Sequence, residues 1–151
     1  MHPIINFKAE SVTFYFNVKQ RLTKINDNSG VGKSFLCDML IASINTSKDT
    51  GIYPVIDLDT GDLINTIVIN GLDTHLKDVM EKVKCPDSLI IIDEADILLL
   101  RKPELINAIL SNKSSYFIFM LRAMVDGLDF DYSEYAKLDV AEKKIVINYF
   151  N

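Results

Sequence analysis

The sequence predicts one three-layer α/β domain with a mainly parallel sheet and an amino-terminal β-hairpin or pair of edge strands. Two observations carry this prediction: apolar strand segments alternate with segments of helical periodicity, and one strand is apolar at four consecutive residues. Such a strand is typical of a parallel sheet that helices cover on both faces. The 151 residues fit one domain, and no repeat, low-complexity tract or linker divides residues 1–151.

The amino-terminal part of the chain is predicted to form strands. Residues 12–19 alternate apolar and polar side chains, which indicates a half-buried strand. The preceding IINF adds the other strand of a hairpin or a second edge strand, and RLTKIN forms a third short strand. The basic side chains of this region are interpreted as a solvated strand edge, and they are Lys19, Arg21 and Lys24.

Helices and strands then alternate along the chain. From Ser34 the apolar period becomes helical, and the first helix is predicted to end in the polar run NTSKDTG. YPVIDLD indicates a strand, INTIVIN a short strand or a buried turn, and residues 72–84 a helix with Leu72 on its apolar face. LIII is the predicted central parallel strand, followed by a helix over about residues 103–112. SYFIFML and KKIVINYF are the last predicted strands.

Composition and charge exclude several classes of protein. The longest apolar stretch, residues 89–100, contains three acids and is too short for a bilayer-spanning helix, so no membrane span is expected. The start of the chain does not resemble a secretory signal, and a cytoplasmic location is expected. The net charge of −5 does not support direct nucleic-acid binding. Cys37 and Cys85 have no metal-ligand spacing and are expected to be reduced thiols.

The first motif with a chemical role is DNSGVGKS at residues 27–34. It fits the P-loop pattern between a strand and a helix, except that Asp27 replaces the first glycine. Backbone N–H groups of such a loop form a nest for phosphate oxygens. Lys33 is expected to neutralise the β- and γ-phosphates, and Ser34 to be a Mg²⁺ ligand. The predicted nucleotide-binding residues are Asn28, Ser29, Gly30, Val31, Gly32, Lys33, Ser34, Phe35 and Arg122.

The second motif is LIIIDEAD at residues 89–96. A buried strand that ends in an acid delivers the carboxylate to the carboxyl edge of the sheet, where α/β folds bind ligands. Asp93 is therefore a predicted Mg²⁺ ligand of the Walker B type, and Glu94 a predicted general base that polarises water. Glu94 and Lys33 are the predicted catalytic residues, and the predicted ligands are ATP and Mg²⁺.

The segments NSGVGKS, IIIDEAD and SYFIFMLR together resemble P-loop ATPases of the additional-strand, catalytic-glutamate division, which includes AAA, RecA-like and ABC ATPases. The resemblance spans residues 21–150 and is strongest to small stand-alone ATPases of bacterial mobile elements. It implies a P-loop NTPase fold. An ABC transporter ATPase is not expected, because no LSGGQ-like signature precedes the Walker B strand. A AAA remodelling machine is not expected either, because no carboxy-terminal helical lid is recognisable.

Two functions stay open at this point. The first is a slow ATPase that acts with an unidentified protein partner, because a transition-state cation is often supplied in trans. The second is a nucleotide-gated regulatory or inhibitory module with little hydrolysis, which Asp27 favours, because its carboxylate is expected to repel phosphate.

Arg122 is the candidate sensor residue or arginine finger, and Arg101 is a weaker one. Preference for ATP over GTP and assembly into a homo-oligomer also stay open.

Three further features have a functional and a structural interpretation. Tyr116, Phe117 and Phe119 suggest a base-stacking platform, but their alternation in a strand favours the core. The acidic and aromatic residues 126–135 are interpreted as a solvated connection rather than a partner-binding loop. His75 is interpreted as a surface histidine.

Overall fold

The computed structural model describes residues 1–9, 12–26, 33–51, 53–72, 76–121, 134–141 and 144–149. The described strands are β1 (Pro3–Ala9), β2 (Val12–Asn17), β3 (Leu22–Asn26), β4 (Val55–Asp57), β5 (Asn65–Asn70), β6 (Ser88–Asp93), β7 (Tyr116–Leu121), β8 (Glu134–Ala141) and β9 (Lys144–Tyr149). The described helices are α1 (Lys33–Thr50), α2 (Leu76–Val83), α3 (Ala95–Arg101) and α4 (Glu104–Ser111). None of these helices combines the length and the apolar character that crossing a bilayer requires.

All the described strands join one sheet in the order β4-β1-β2-β9-β8-β3-β7-β6-β5. The five strands from β8 to β5 run parallel, and β7 lies between β3 and β6. Antiparallel pairs join β8 to β9, and β1 to both β2 and β4. The mainly parallel sheet and the hairpin of β1 and β2 are therefore confirmed, and β4 rather than the hairpin forms the outer edge.

Helices cover both faces of the parallel strands, which confirms the three layers. On one face, Cys37 and Leu40 of α1 pack into a core cluster that includes Ile91. On the other face, α2, α3 and α4 pack into a second cluster that includes Leu98 and Ile92. Strand β6 therefore contributes alternate residues to both clusters, as predicted for an apolar strand that is covered on both sides.

Helix α1 ends within the polar run that follows its apolar residues. It ends at Thr50, and Gly51 follows with φ +70°, a conformation that favours glycine, while its N–H donates to the Ser47 carbonyl at 2.8 Å. The predicted end in the polar run NTSKDTG is therefore confirmed, and the residues of this run form the last turns of the helix. Their hydroxyl groups bond inside the helix: Ser47 donates to the Ile44 carbonyl at 2.7 Å and Thr50 to the Thr46 carbonyl at 3.2 Å.

Helix α2 begins at Leu76, so the prediction that includes Leu72 was wrong at its amino-terminal end. Leu72 lies before the helix and is 54% exposed. Its N–H donates to Oδ1 of Asn70 at 2.9 Å, which fixes this residue in a turn after β5. His75 lies outside the described residues.

Two elements were not predicted. Helix α3 directly follows β6, and a short apolar run such as ILLL does not distinguish a buried helix from a strand. Strand β8 includes Glu134 and Tyr135, so the interpretation of residues 126–135 as a connection was wrong for these two residues. The remaining part of that segment, residues 126–133, lies outside the described residues.

The basic residues near β3 do not form a solvated strand edge, because β3 lies inside the sheet between β7 and β8. Lys24 is only 4% exposed. Arg21 donates from Nη1 to the carbonyl of Asn112 at 2.6 Å, which ties the start of β3 to the end of α4. The interpretation was therefore wrong for both residues, and Lys19 alone of the three is exposed.

Leu40 and Ile41 provide a matched test of how α1 packs on the sheet. Leu40 is fully buried, whereas its neighbour Ile41 is 41% exposed. We expect Leu40→Ala to lower the free energy of unfolding by about 2–5 kcal/mol, because it removes buried methyl groups and leaves a cavity. Ile41→Ala is expected to cost less than about 1 kcal/mol. Urea denaturation measures both values, and equal losses would contradict this packing.

Candidate functional site

The carboxyl ends of the parallel strands and the start of α1 meet at one edge of the sheet. Strand β3 ends at Asn26, β6 at Asp93 and β5 at Asn70, and α1 begins at Lys33. The register aligns Asn70 with Asp93. Because only β7 separates β6 from β3, Asp93 lies about 10 Å, or two inter-strand spacings, from β3. This is the edge where α/β folds bind ligands.

The structure describes only part of the predicted P-loop. The backbone of Lys33, Ser34 and Phe35 forms the first turn of α1, which contains no acidic residue. Such a turn presents backbone N–H groups and the positive end of the helix dipole. Residues 27–32 and Arg122 lie outside the described residues, so their roles stay predictions.

Asp93 lies beside the first turns of α1. It ends a strand whose other residues are buried, and it is itself partly exposed. The Cys37 thiol of α1 contacts Sδ of Met120 at 3.5 Å. Burial is the main cause that raises the pKa of this thiol, and the negative charges of Asp93 and Asp38 raise it further. The Asp93 carboxylate therefore acts electrostatically on the Cys37 thiol, one turn into the helix that begins at the predicted P-loop residues Lys33 and Ser34.

Glu94 joins β6 to α3 in a strained turn. Its backbone is left-handed, with φ 52° and ψ 43°, which costs a non-glycine residue roughly 1–2 kcal/mol. Its N–H donates to Oδ1 of Asp93 at 3.0 Å, and its carbonyl accepts the N–H of Leu98 at 3.2 Å. The residue is only 7% exposed. Residues held in such conformations cluster at active sites, so the turn is itself an indication of function.

Sequence reasoning missed two residues near this turn. Gly71 follows β5, and its N–H donates to the Asp93 carbonyl at 2.7 Å. Asp96 lies in the first turn of α3 and is 8% exposed, and within the described part of the chain its Oδ1 has no hydrogen-bond partner. Both had a signal: a glycine directly after an apolar strand indicates a close backbone approach, and Asp96 is the last acid of the string DEAD.

Arg101, the weaker candidate for an arginine finger, makes a contact within its own chain. It lies at the end of α3 and is exposed. Its Nη2 donates to the Gly71 carbonyl at 3.1 Å. The arginine therefore links the end of α3 to the residue that follows β5.

The aromatic residues of β7 belong to the core. Phe117 and Phe119 are fully buried in the cluster beneath α3 and α4. The hydroxyl of Tyr116 donates to the Met1 carbonyl at 2.7 Å. The core interpretation is confirmed, and these rings do not form a base-stacking platform.

A groove of about 700 Å³ lies between α2 and α4, with Met80 and Ala108 among its lining residues. Lys84 and Ser114 also line it, and they lie near the amino ends of β6 and β7. The groove therefore opens at the opposite end of these strands from Asp93.

A family model matches most of the chain. The family is described as the ATPase family associated with various cellular activities (AAA), and the matched residues are 27–134. The match begins at the predicted P-loop and includes α1, the acids that end β6, and β7. No curated protein and no solved structure matches the chain.

Cys37 makes a testable contribution to the pH dependence of stability. Its pKa is raised in the folded protein, so the unfolded chain releases this proton first, near pH 8.5. Above about pH 8.5 the free energy of unfolding therefore falls, by up to about 1.4 kcal/mol per pH unit. Urea denaturation measures this fall. As the pH rises from about 8 to about 10, we expect the free energy of unfolding to fall less for Cys37→Ala than for the wild type. Equal slopes would contradict a thiol that stays neutral in the core.

Proposed function

Since the chain belongs to the AAA family of ATPases, we propose that it binds Mg-ATP and hydrolyses it slowly, with a protein partner that raises the rate. The observation that carries this proposal is the turn at Glu94, which holds a buried acid in a left-handed conformation directly after Asp93. The fold restrains an unfavourable backbone there, at the sheet edge where α1 begins. A strained acid at a ligand-binding edge supports a catalytic role.

Phosphate binding is assigned to the start of α1 and to loop residues 28–32. The first turn of α1 has no acidic residue, so the helix dipole is not opposed by a charge within that turn. Lys33 neutralises the β- and γ-phosphates in this proposal. Arg122 follows β7, the strand between β3 and β6, and is proposed to contact the γ-phosphate.

The residues near Asp93 fit a magnesium ion. The Asp93 carboxylate and the Ser34 hydroxyl would hold the ion through oxygen atoms, and Mg²⁺ in nucleotide sites takes one or two protein ligands besides phosphates and water. When bound, the ion neutralises charge on the β- and γ-phosphate oxygens.

Glu94 is the proposed general base. Its carboxylate accepts a proton from a water molecule whose oxygen attacks the γ-phosphorus. The bond from the γ-phosphorus to the bridging oxygen breaks in line with this attack, and the products are ADP and phosphate. A cation stabilises the transferring phosphoryl group, and we assign it to Arg122 or to a partner. Slow turnover by the isolated chain is expected if the partner supplies it.

Asp27 favours a second candidate function, a nucleotide-gated regulatory or inhibitory module. A carboxylate in place of the first P-loop glycine repels phosphate and restricts the backbone. Such a module would bind nucleotide and release little phosphate. The two candidates therefore differ in the rate of hydrolysis and not in the binding site.

Lys33→Ala tests nucleotide binding. We expect Mg-ATP to raise the melting temperature of the wild type, since a ligand at about 100 times its Kd adds about 2.7 kcal/mol of stability. Lys33→Ala should lose this increase. Lys48→Ala, which removes an exposed lysine from the other end of α1, should keep it. An equal increase in wild type and Lys33→Ala would contradict the assignment, and parallel melts with Mg-GTP measure the base preference.

Glu94→Gln tests hydrolysis. We expect phosphate release to fall at least about 100-fold, because a positioned general base contributes about that much, while Mg-ATP binding persists. Glu104→Gln, an exposed acid in the first turn of α4, is the matched control and should keep the wild-type rate. Near-zero release by both the wild type and Glu94→Gln, with binding retained, would favour the regulatory module.

A further inference from the structure

We infer that Gly71 and Arg101 are positioning residues that hold Glu94 in its left-handed conformation. The inference rests on the proposed role of Glu94 as the general base. Gly71 directly follows β5 and Arg101 ends α3, so both lie outside the P-loop and outside the acidic motif. Together they restrain the backbone around Glu94 through three contacts.

The first contact is a close approach of two backbones. A methyl group on the Gly71 Cα would lie 2.2 Å from the Glu94 carbonyl oxygen and 2.6 Å from the Asp93 carbonyl oxygen. Ordinary contacts between carbon and a carbonyl oxygen are about 3.3 Å or longer. Both oxygens belong to the backbone, so no side-chain rotation relieves this overlap. Only glycine lets the chain after β5 lie against the Glu94 turn.

The second contact fixes the peptide group between Asp93 and Glu94. The Gly71 N–H donates to the Asp93 carbonyl at 2.7 Å, which continues the pairing of β5 with β6 beyond Asn70. The same peptide group carries the Glu94 N–H, which donates to Oδ1 of Asp93 at 3.0 Å. Because a peptide group is planar, the bond that orients the Asp93 carbonyl also orients the Glu94 N–H toward Oδ1 of Asp93, and these two bonds together restrain rotation about the φ bond of Glu94.

The third contact restrains Gly71 from its other side. Nη2 of Arg101 donates to the Gly71 carbonyl at 3.1 Å. Glu94 caps the amino end of α3 and Arg101 is its last residue, so this bond ties both ends of the short helix to Gly71. A left-handed glutamate needs such restraint from its surroundings, because its intrinsic preference is for other conformations.

Steady-state ATP hydrolysis by Gly71→Ala tests the inference. We expect kcat to fall about 100-fold, because a shift of roughly 1 Å in a catalytic group has about that effect. KM for Mg-ATP should change little, because the phosphates bind at the P-loop. Gly61→Ala is the matched control: its φ of +75° strains an alanine, but an added methyl group has no atom within 4 Å. Unchanged kcat in Gly71→Ala, or an equal loss in Gly61→Ala, would overturn the inference.

Arg101→Met provides a second variant in case Gly71→Ala does not fold. Arg101 is exposed, and methionine keeps an apolar stem but removes the donor. We expect a severalfold fall in kcat with an unchanged KM, and partial recovery in Arg101→Lys. Lys102→Met, which removes a neighbouring cation that pairs with Glu104 at 3.8 Å, should keep the wild-type kcat. A wild-type kcat in Arg101→Met would remove Arg101 from the inference.

Failure of the inference differs from failure of the proposed function. If Glu94→Gln abolishes hydrolysis and Gly71→Ala does not affect it, only the positioning role is wrong. If the wild type releases no phosphate, the proposed hydrolysis is wrong, and crystal structures of the wild type and Gly71→Ala decide the positioning role. Glu94 should then leave its left-handed conformation in the variant, and an unchanged turn would overturn the inference.

Discussion

The parallel alignment of β3, β7, β6 and β5 is the constraint on which the rest of the site depends. Strands that run in one direction end at one edge, so the start of α1 after β3 and the acids after β6 meet there. Burial holds β6 in this register. Residues 88–92 of the strand are buried, and a fully buried isoleucine contributes about 1.5–3 kcal/mol. The acids therefore end a strand that cannot slide without exposing its apolar side chains.

Main-chain contacts organise the acidic end of the site more than side-chain contacts do. Asp93 and Glu94 share a peptide group that Gly71 contacts from the neighbouring strand, and α3 begins immediately after it. The backbone geometry of β5, β6 and α3 thus determines where Glu94, the proposed general base, lies relative to Asp93, the proposed metal ligand. The AAA family assignment and this geometry concern the same segment of the chain, since the matched residues include all three elements.

Local sequence patterns predicted those helices and strands that can be recognised from their own residues, without knowing which elements they pack against. The alternation of β2, the apolar run of β6 and the helical period of α1 each identify an element from its own residues. Strand order depends on distant pairs, so the sequence did not show that β4 joins β1 or that Lys24 lies inside the sheet. The place of Asp93 and Glu94 at the sheet edge was predictable because they end a buried strand. A glycine after an apolar strand indicated a close backbone approach at Gly71, but its partner, Asp93, lies in another strand and depends on the strand order.

The left-handed backbone of Glu94 lowers the stability of the fold at the residue that we assign to catalysis. Glycine or asparagine would adopt the same φ with less strain, so replacing the acid is expected to make the fold more resistant to heat. Selection for heat resistance alone would then tend to remove the residue that we assign to catalysis. Selection for activity would keep a glutamate at this turn in spite of its backbone strain.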